Sequence, residues 1–183
     1  MGRLLDRIDD DVREFIAAQQ MYFVATAPSG PGGHVNLSPK GHADTFCVLD
    51  DRTVAYLDLT GSGAETAAHL RDNGRITVMF CAFSGQPNIL RLFGTGRVVP
   101  LGDPDFAALA AHFPSRPGAR AVIVVDVTRV QNSCGYAVPL HEFVGERDLL
   151  EKWTEARAGE RLTAYRAEKN TASIDGLPAY DPA

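Results

Sequence analysis

The chain has 183 residues, 45% of them hydrophobic and 22% charged, which suits one globular domain able to bury a core without disulfides or metals. A formal net charge of -5 argues against a general nucleic-acid surface, because neutralising phosphates with Lys and Arg dominates such binding. The three cysteines, Cys47, Cys81 and Cys134, are odd in number and widely spaced, so they read as reduced and intracellular.

The amino end turns acidic at Asp6 before an apolar stretch can form, so no secretory signal is expected there. Leu4, Leu5, Ile8, Val12, Phe15 and Ile16 recur at helical spacing and predict an amphipathic helix within residues 1–20. Met21 to Thr26, rich in aromatic and β-branched residues, predicts a first strand, closed by the breakers from Pro28 to Gly33. The run from His34 to Ser38 predicts a second strand. Alternation assigns Val35 and Leu37 to the core and His34, Asn36, Ser38 and Lys40 to a polar face. Thr45–Leu49 and Thr53–Leu57, joined by Asp50-Asp51-Arg52, predict an antiparallel hairpin.

The stretch from Val54 to Phe83 reads as strand, glycine loop, helix and strand. Ser62 and Glu65 stand in the S-x-x-E relation of a capping box at the start of a helix reaching Asn73, and Gly74 stops it. A helix start behind a small-residue loop can also hold a phosphate. Ile89 to Val99 predicts a strand whose Gly94 and Gly96 mark a bulge. Asp103-Pro104 predicts the start of a helix carrying Phe106, Leu109 and Phe113. Ala121 to Val130 predicts a strand buried on both faces, and its aliphatic run is too short to span a bilayer. An irregular loop follows to Val144, then a helix-forming stretch from Glu146 to Glu168 that Gly159 divides, and a tail from Asn170. Six to seven short antiparallel strands with peripheral helices describe a mainly β (α+β), partly open barrel. The protein is expected to be cytoplasmic, with no membrane or nucleic-acid partner.

The chemistry on offer is sparse. No G-x-S-x-G elbow is present, the five histidines lack zinc spacing, and Thr60-Gly61-Ser62-Gly63 matches neither phosphate-loop pattern, so neither catalytic residues nor a metal site are assigned. Asn36, Ser38 and Lys40 form a polar ladder that suits an anionic or heterocyclic ligand, or else a solvent-facing edge strand. Arg91, inside Ile-Leu-Arg-Leu-Phe, must face solvent or find an anion.

The strings His34–Gly41, Leu57–Gly63, Glu65-Thr66, His69–Phe80 and Leu90–Gly94, taken in order, resemble the pyridoxamine 5'-phosphate oxidase-like family of flavin-binding split β-barrels. Ser133–Tyr136 and Ser173–Pro178 resemble one branch of it. The resemblance covers about residues 20–140 and, in part, the tail; with the helical readings above, the chain divides into an N-terminal helix at 1–20, a split-barrel flavin-binding domain at 21–140, and a helical extension and tail of the same domain at 141–183. The resemblance also implies a homodimer with FMN in the groove between subunits. Asn36, Ser38 and Lys40 would then lie near the flavin ring and ribityl chain, and Asp58, Thr60, Ser62, Glu65 and Thr66 near the chain or phosphate. The oxidases carry a basic pair where this chain has Glu65-Thr66, so Arg91 is expected to supply the missing charge. Ile89 stands where the oxidases often place a glutamine, and their vitamin-substrate pocket is not recognisable. The function implied is an FMN-dependent oxidoreductase passing a hydride between flavin and an unidentified small molecule. The alternatives are a deazaflavin-dependent reductase and a non-catalytic flavin-binding or carrier protein.

Overall fold

The computed structural model describes residues 2–181. Its elements begin with β1 (Arg3–Leu5), α1 (Asp10–Ala17), β2 (Tyr22–Thr26), β3 (Asn36–Lys40) and, after a 3-10 turn, β4 (Phe46–Val48). Next come β5 (Thr53–Leu59), α2 (Glu65–Asn73), β6 (Arg75–Cys81), β7 (Ile89–Pro100) and α3 (Phe106–Ala110). The last are β8 (Ala119–Ser133), α4 (Leu149–Glu155) and α5 (Glu160–Lys169). Among these residues no helix is long and apolar enough to cross a membrane.

The strands form one antiparallel sheet in the order β3-β2-β6-β7-β8-β5-β4. It curls until Tyr22 of β2, Phe46 of β4, Tyr56 of β5 and Phe80 of β6 meet, with ring centroids 5.0 to 5.7 Å apart. Such edge and tilted contacts are the favoured geometry for aromatic pairs. β3 and β4 end the sheet without pairing to each other, so the protein is a mainly β split barrel with few peripheral helices.

β8 holds the sheet together because its sequence lets both faces be buried. Ile123 and Val125 enter the main core with Val78, Leu90 and Leu92. Val122 and Val124 pack on the other side against Leu57, Val99 and Phe113. Burying each such aliphatic side chain stabilises the fold by about 1.5–3 kcal/mol. Two irregularities interrupt its register. At Phe93/Gly94 the partners shift from Arg129 to Val127, and a Cβ on Gly94 would stand 2.3 Å from the Asp126 carbonyl oxygen, so the bulge needs glycine there. At Asp58/Leu59 the partners shift from Ala121 to Ala119, leaving Arg120 as the extra residue.

Three local expectations are corrected. Leu4 and Leu5 do not begin a helix; they belong to β1, which pairs with Gln131 and Val130. β5 pairs with β8 only as far as Asp126, so the remaining edge is open for β1 to fill. The helix starts at Asp10 instead, with Asp9 accepting from the Val12 N–H at 3.0 Å and Val12 and Ile16 buried. The second correction is α3, which is limited to Phe106–Ala110 and has no side-chain cap, because Asp103 closes the preceding turn on the Asp105 N–H. The third concerns the loop expected from Gln131, which begins later because β8 continues to Ser133. Gly159, at φ 77°, does separate α4 from α5, and Trp153 packs its ring edge-on to Tyr165 across the break.

Candidate functional site

The second predicted strand has the opposite orientation to the one its apolar residues suggest. In β3, Lys40, Ser38 and Asn36 lie opposite Tyr22, Val24 and Thr26 of β2, all three buried, so the polar ladder turns inward. Val35 and Leu37, expected in the core, are 74% and 63% exposed. An inward face of amide, hydroxyl and ammonium is stable only if each group finds a partner. Ser38 Oγ donates to Asn36 Oδ1 at 2.7 Å, and Asn36 Nδ2 donates to Thr26 Oγ1 and Thr66 Oγ1 at 3.2 and 3.1 Å. Thr26 Oγ1 also meets the Nδ1 of His69, a fully buried residue, at 2.9 Å. With both Asn36 N–H groups engaged, the Thr66 hydroxyl keeps its hydrogen for another acceptor, while Ser38 keeps its lone pairs.

Lys40 reaches a second inward residue, Asp58 of β5, at 3.0 Å. Asp58 is 2% exposed and also receives Arg120 Nε and the Tyr180 hydroxyl, each at 2.7 Å on Oδ2. Arg120 comes to Asp58 because of the bulge. In a regular register it would point away from the face shared by Asp58 and Ala121, whereas an extra residue re-aims its side chain. Burial acts to raise the Asp58 pKa, but the Arg120 guanidinium, then Lys40, then the Tyr180 hydroxyl hold it well below the usual carboxylate range. Burial likewise opposes the charge on Arg120, while Asp58 and the other partners raise its pKa above the ordinary guanidinium value. The Tyr180 ring lies against Arg120, with the guanidinium carbon 4.8 Å from its centroid.

This cluster borders the start of α2. The expected capping box is not formed: the N-cap is Ala64, without a side-chain cap, and Ser62 is exposed on the loop. Glu65 instead accepts from the Ile174 N–H at 3.3 Å, because the tail folds back across the helix start and competes for its carboxylate. The leading N–H groups of the helix are therefore without a side-chain cap and sit at its positive dipole end. Beside them is a cavity of about 160 Å³, lined chiefly by Ser38, Lys40, Asp58, Glu65, Thr66 and Arg120. Three Arg120 contacts, to Asp58 and to the Gly61 and Gly63 carbonyls at 3.4 and 2.8 Å, lock the glycine loop over it.

Of the residues singled out in the sequence, Ser38, Lys40, Asp58, Glu65 and Thr66 thus line one cavity. Asn36 stands behind them, orienting Ser38 and Thr66. Thr60 is fully buried and structural, donating to the Gly118 carbonyl at 2.8 Å and accepting from Arg166 at 2.9 Å. Arg91 is not part of this cavity. It pairs in register with Met79 and Gln131 on the outer face of the sheet, opposite the buried Leu90 and Leu92, and donates to Ser133 Oγ at 3.0 Å. The charge expected of Arg91 beside the helix start is supplied within this chain by Arg120. Sequence reading missed Arg120, Arg166, Asn170 and Tyr180. Arg120 carried a usable signal, since an arginine beside an aliphatic run poses the same question as Arg91; Tyr180 carried none. The cysteines are unpaired, and burial pushes Cys47 up to about 11 and raises Cys81 as well, so neither is a ready thiolate.

Comparison with known proteins agrees with this architecture. The family profile described as Pyridoxamine 5'-phosphate oxidase matches residues 8–134. The pyridoxamine 5'-phosphate oxidase family protein ustO of Aspergillus flavus is 42% identical over 195 residues, covering 97% of this chain and 78% of that one. Among solved structures, HupZ of Group A Streptococcus has a TM-score of 0.55 at 23% identity, over 74% of this chain and 99% of its own. Its H111A variant gives 0.55 at 25% identity, over 69% and 99%. Profile, relative and split-barrel topology agree: this chain belongs to the pyridoxamine 5'-phosphate oxidase family.

Proposed function

We propose that the protein is an FMN-dependent oxidoreductase of small organic molecules, working as a homodimer with the flavin site at the subunit interface. The observation that carries this reading is the pairing of an uncapped helix start with two cations that a single buried carboxylate holds in place. A phosphate monoester needs N–H donors, hydroxyl donors and fixed positive charge, and α2, Thr66, Lys40 and Arg120 supply them around one cavity. Asp58 is spent on Lys40, Arg120 and Tyr180, so it serves as the group that orients the cations and not as a phosphate contact. Lys40 and Arg120 match Asp58 and Glu65 in formal charge, and Glu65 turns to the tail, so the attraction for an anion comes from the two cations acting together with the uncapped N–H groups at the start of α2. Ser38, with lone pairs to offer, suits an N–H or hydroxyl of the ligand.

When bound, flavin supplies the ability to take up or release a hydride. The chain contributes position and field: its hydroxyls and cations hold the group, and the burial of Asp58 keeps that arrangement rigid. Exposed Val35 and Leu37, beside the partly buried Phe23 and Met79 on the outer sheet face, support a second copy of the chain as the partner.

The test is the absorption spectrum of the purified protein, followed by fluorescence titration with FMN, riboflavin and a deazaflavin. FMN is expected to bind most tightly, near one per subunit, and riboflavin much less well. A protein that takes up no flavin, or that prefers the deazaflavin, removes this reading. Photoreduction without oxygen then separates enzyme from carrier, since an enzyme's reduced flavin is reoxidised faster by some candidate substrate.

A further inference from the structure

On the far side of Arg120 from the α2 cavity lies a second cleft, of about 420 Å³, that the flavin reading does not use. It is walled by Pro100 at the end of β7 and Leu101 after it, Arg166 and Asn170 of the α5 end, and Tyr180 and Arg120. Three observations set its chemistry. Arg166 has no carboxylate within salt-bridge distance among the described residues; Nε is held by Thr60 at 2.9 Å and Nη2 by the Ala119 carbonyl at 2.9 Å, leaving Nη1 without a partner. Burial first, and the Arg120 guanidinium second, lower the Arg166 pKa, as expected for a cation short of a counter-charge. Asn170, fully buried, spends its Nδ2 on the Gly61 carbonyl at 2.8 Å and leaves Oδ1 with no donor. A buried acceptor in that state is destabilising, and a ligand donor would relieve it. The two acids at the rim are already engaged, Asp181 by Arg71 at 2.9 Å and Asp103 by the Asp105 N–H at 2.9 Å.

We propose that this cleft is a second ligand site, taking a small organic carboxylate that also carries an N–H donor, with the carboxylate on Arg166 and the donor on Asn170. The Tyr180 ring and Leu101 provide apolar walls for the intervening carbon atoms. Because Arg120 and Tyr180 belong to both this cleft and the Asp58 cluster, the site lies back to back with the proposed phosphate cavity but does not overlap it.

The experiment is isothermal titration of the full chain with N-acetylglycine, N-acetylglycinamide and inorganic phosphate. N-acetylglycine is expected to bind at least about tenfold more tightly than either of the others, because a charge-assisted contact and a donor are both required. Arg166→Gln should abolish the preference for acid over amide. Leu101→Trp, at an exposed turn residue, should block the cleft while leaving FMN affinity and the circular dichroism spectrum unchanged. Equal binding of acid and amide, equal binding of phosphate, no binding of any probe at about 10 mM, or undiminished binding in Leu101→Trp each overturns the proposal. FMN titration of the same samples reports on the flavin reading separately.

Discussion

Tyr180 and Asp58, 122 positions apart in the chain, meet through a 2.7 Å hydrogen bond from the tail hydroxyl to the carboxylate of β5. The tail is thereby part of the site, and the carboxylate it reaches carries Arg120 and Lys40 as well. Removing one partner of a buried ion pair costs about 3–5 kcal/mol because the remaining charges are left uncompensated. Asp58→Asn is expected to lose stability on that scale and, with Lys40 and Arg120 released, to lose FMN affinity too. Urea unfolding checks the first effect; a loss below about 1 kcal/mol would show that the cluster is not the anchor described.

The same carboxylate sets an acid dependence. Its folded pKa is depressed, so its contribution is complete above the unfolded Asp value of about 3.9 and is lost as pH falls through the folded value. Unfolding midpoints measured from pH 7 down to pH 2.5 should fall more steeply for the natural protein than for Asp58→Asn. Parallel curves for the two would assign the acid sensitivity elsewhere.

Lys40 lines the cavity beside α2, whereas Arg91 lies on the opposite face of the sheet. Lys40→Ala is therefore expected to weaken FMN by about ten- to a hundredfold, the loss of a charge-assisted contact, with little effect on riboflavin. Arg91→Ala should leave the ratio of FMN to riboflavin affinity unchanged. Fluorescence titration of both flavins on both variants measures this, and a ratio altered only by Arg91→Ala would return the phosphate to the face where sequence reasoning first put it.

Ser62 sits three residues before Glu65 yet makes no cap, since Ala64 occupies that place and Glu65 turns to the tail. Ser62→Ala should thus change stability by less than about 0.5 kcal/mol, as an exposed loop substitution does. A capping serine would cost about 1 kcal/mol. Thermal or urea unfolding distinguishes the two.

Leu37 is 63% exposed at the sheet end next to Val35. If a second copy covers this face, Leu37→Asp should convert the species measured by light scattering from dimer to monomer, with unchanged circular dichroism. A natural protein that is monomeric at all concentrations would remove the interface from the proposal.

Much of the scaffold was legible because its signals are local. The hairpin through Asp50-Asp51-Arg52, the stop at Gly74 with φ 73°, the break at Gly159 and the double burial of Ile123 and Val124 each follow from turn chemistry, backbone freedom or composition within a few residues. The face of β3 was misjudged for the same reason. Alternation shows that Val35 and Leu37 share a side, but the choice of inward side depends on what the neighbouring strands offer, and here they offer hydrogen-bond partners.

The sequence by itself determined the family, the order of the elements after β1 and five of the residues lining one cavity, since these rest on short strings read in order. Only the tertiary structure decided how those residues are charged and held. A buried carboxylate must collect its cations from wherever the chain passes, so Asp58 draws on β3, β8 and the tail, and a single extra residue in β8 turns Arg120 from the face that alternation assigns it to the face where Asp58 lies.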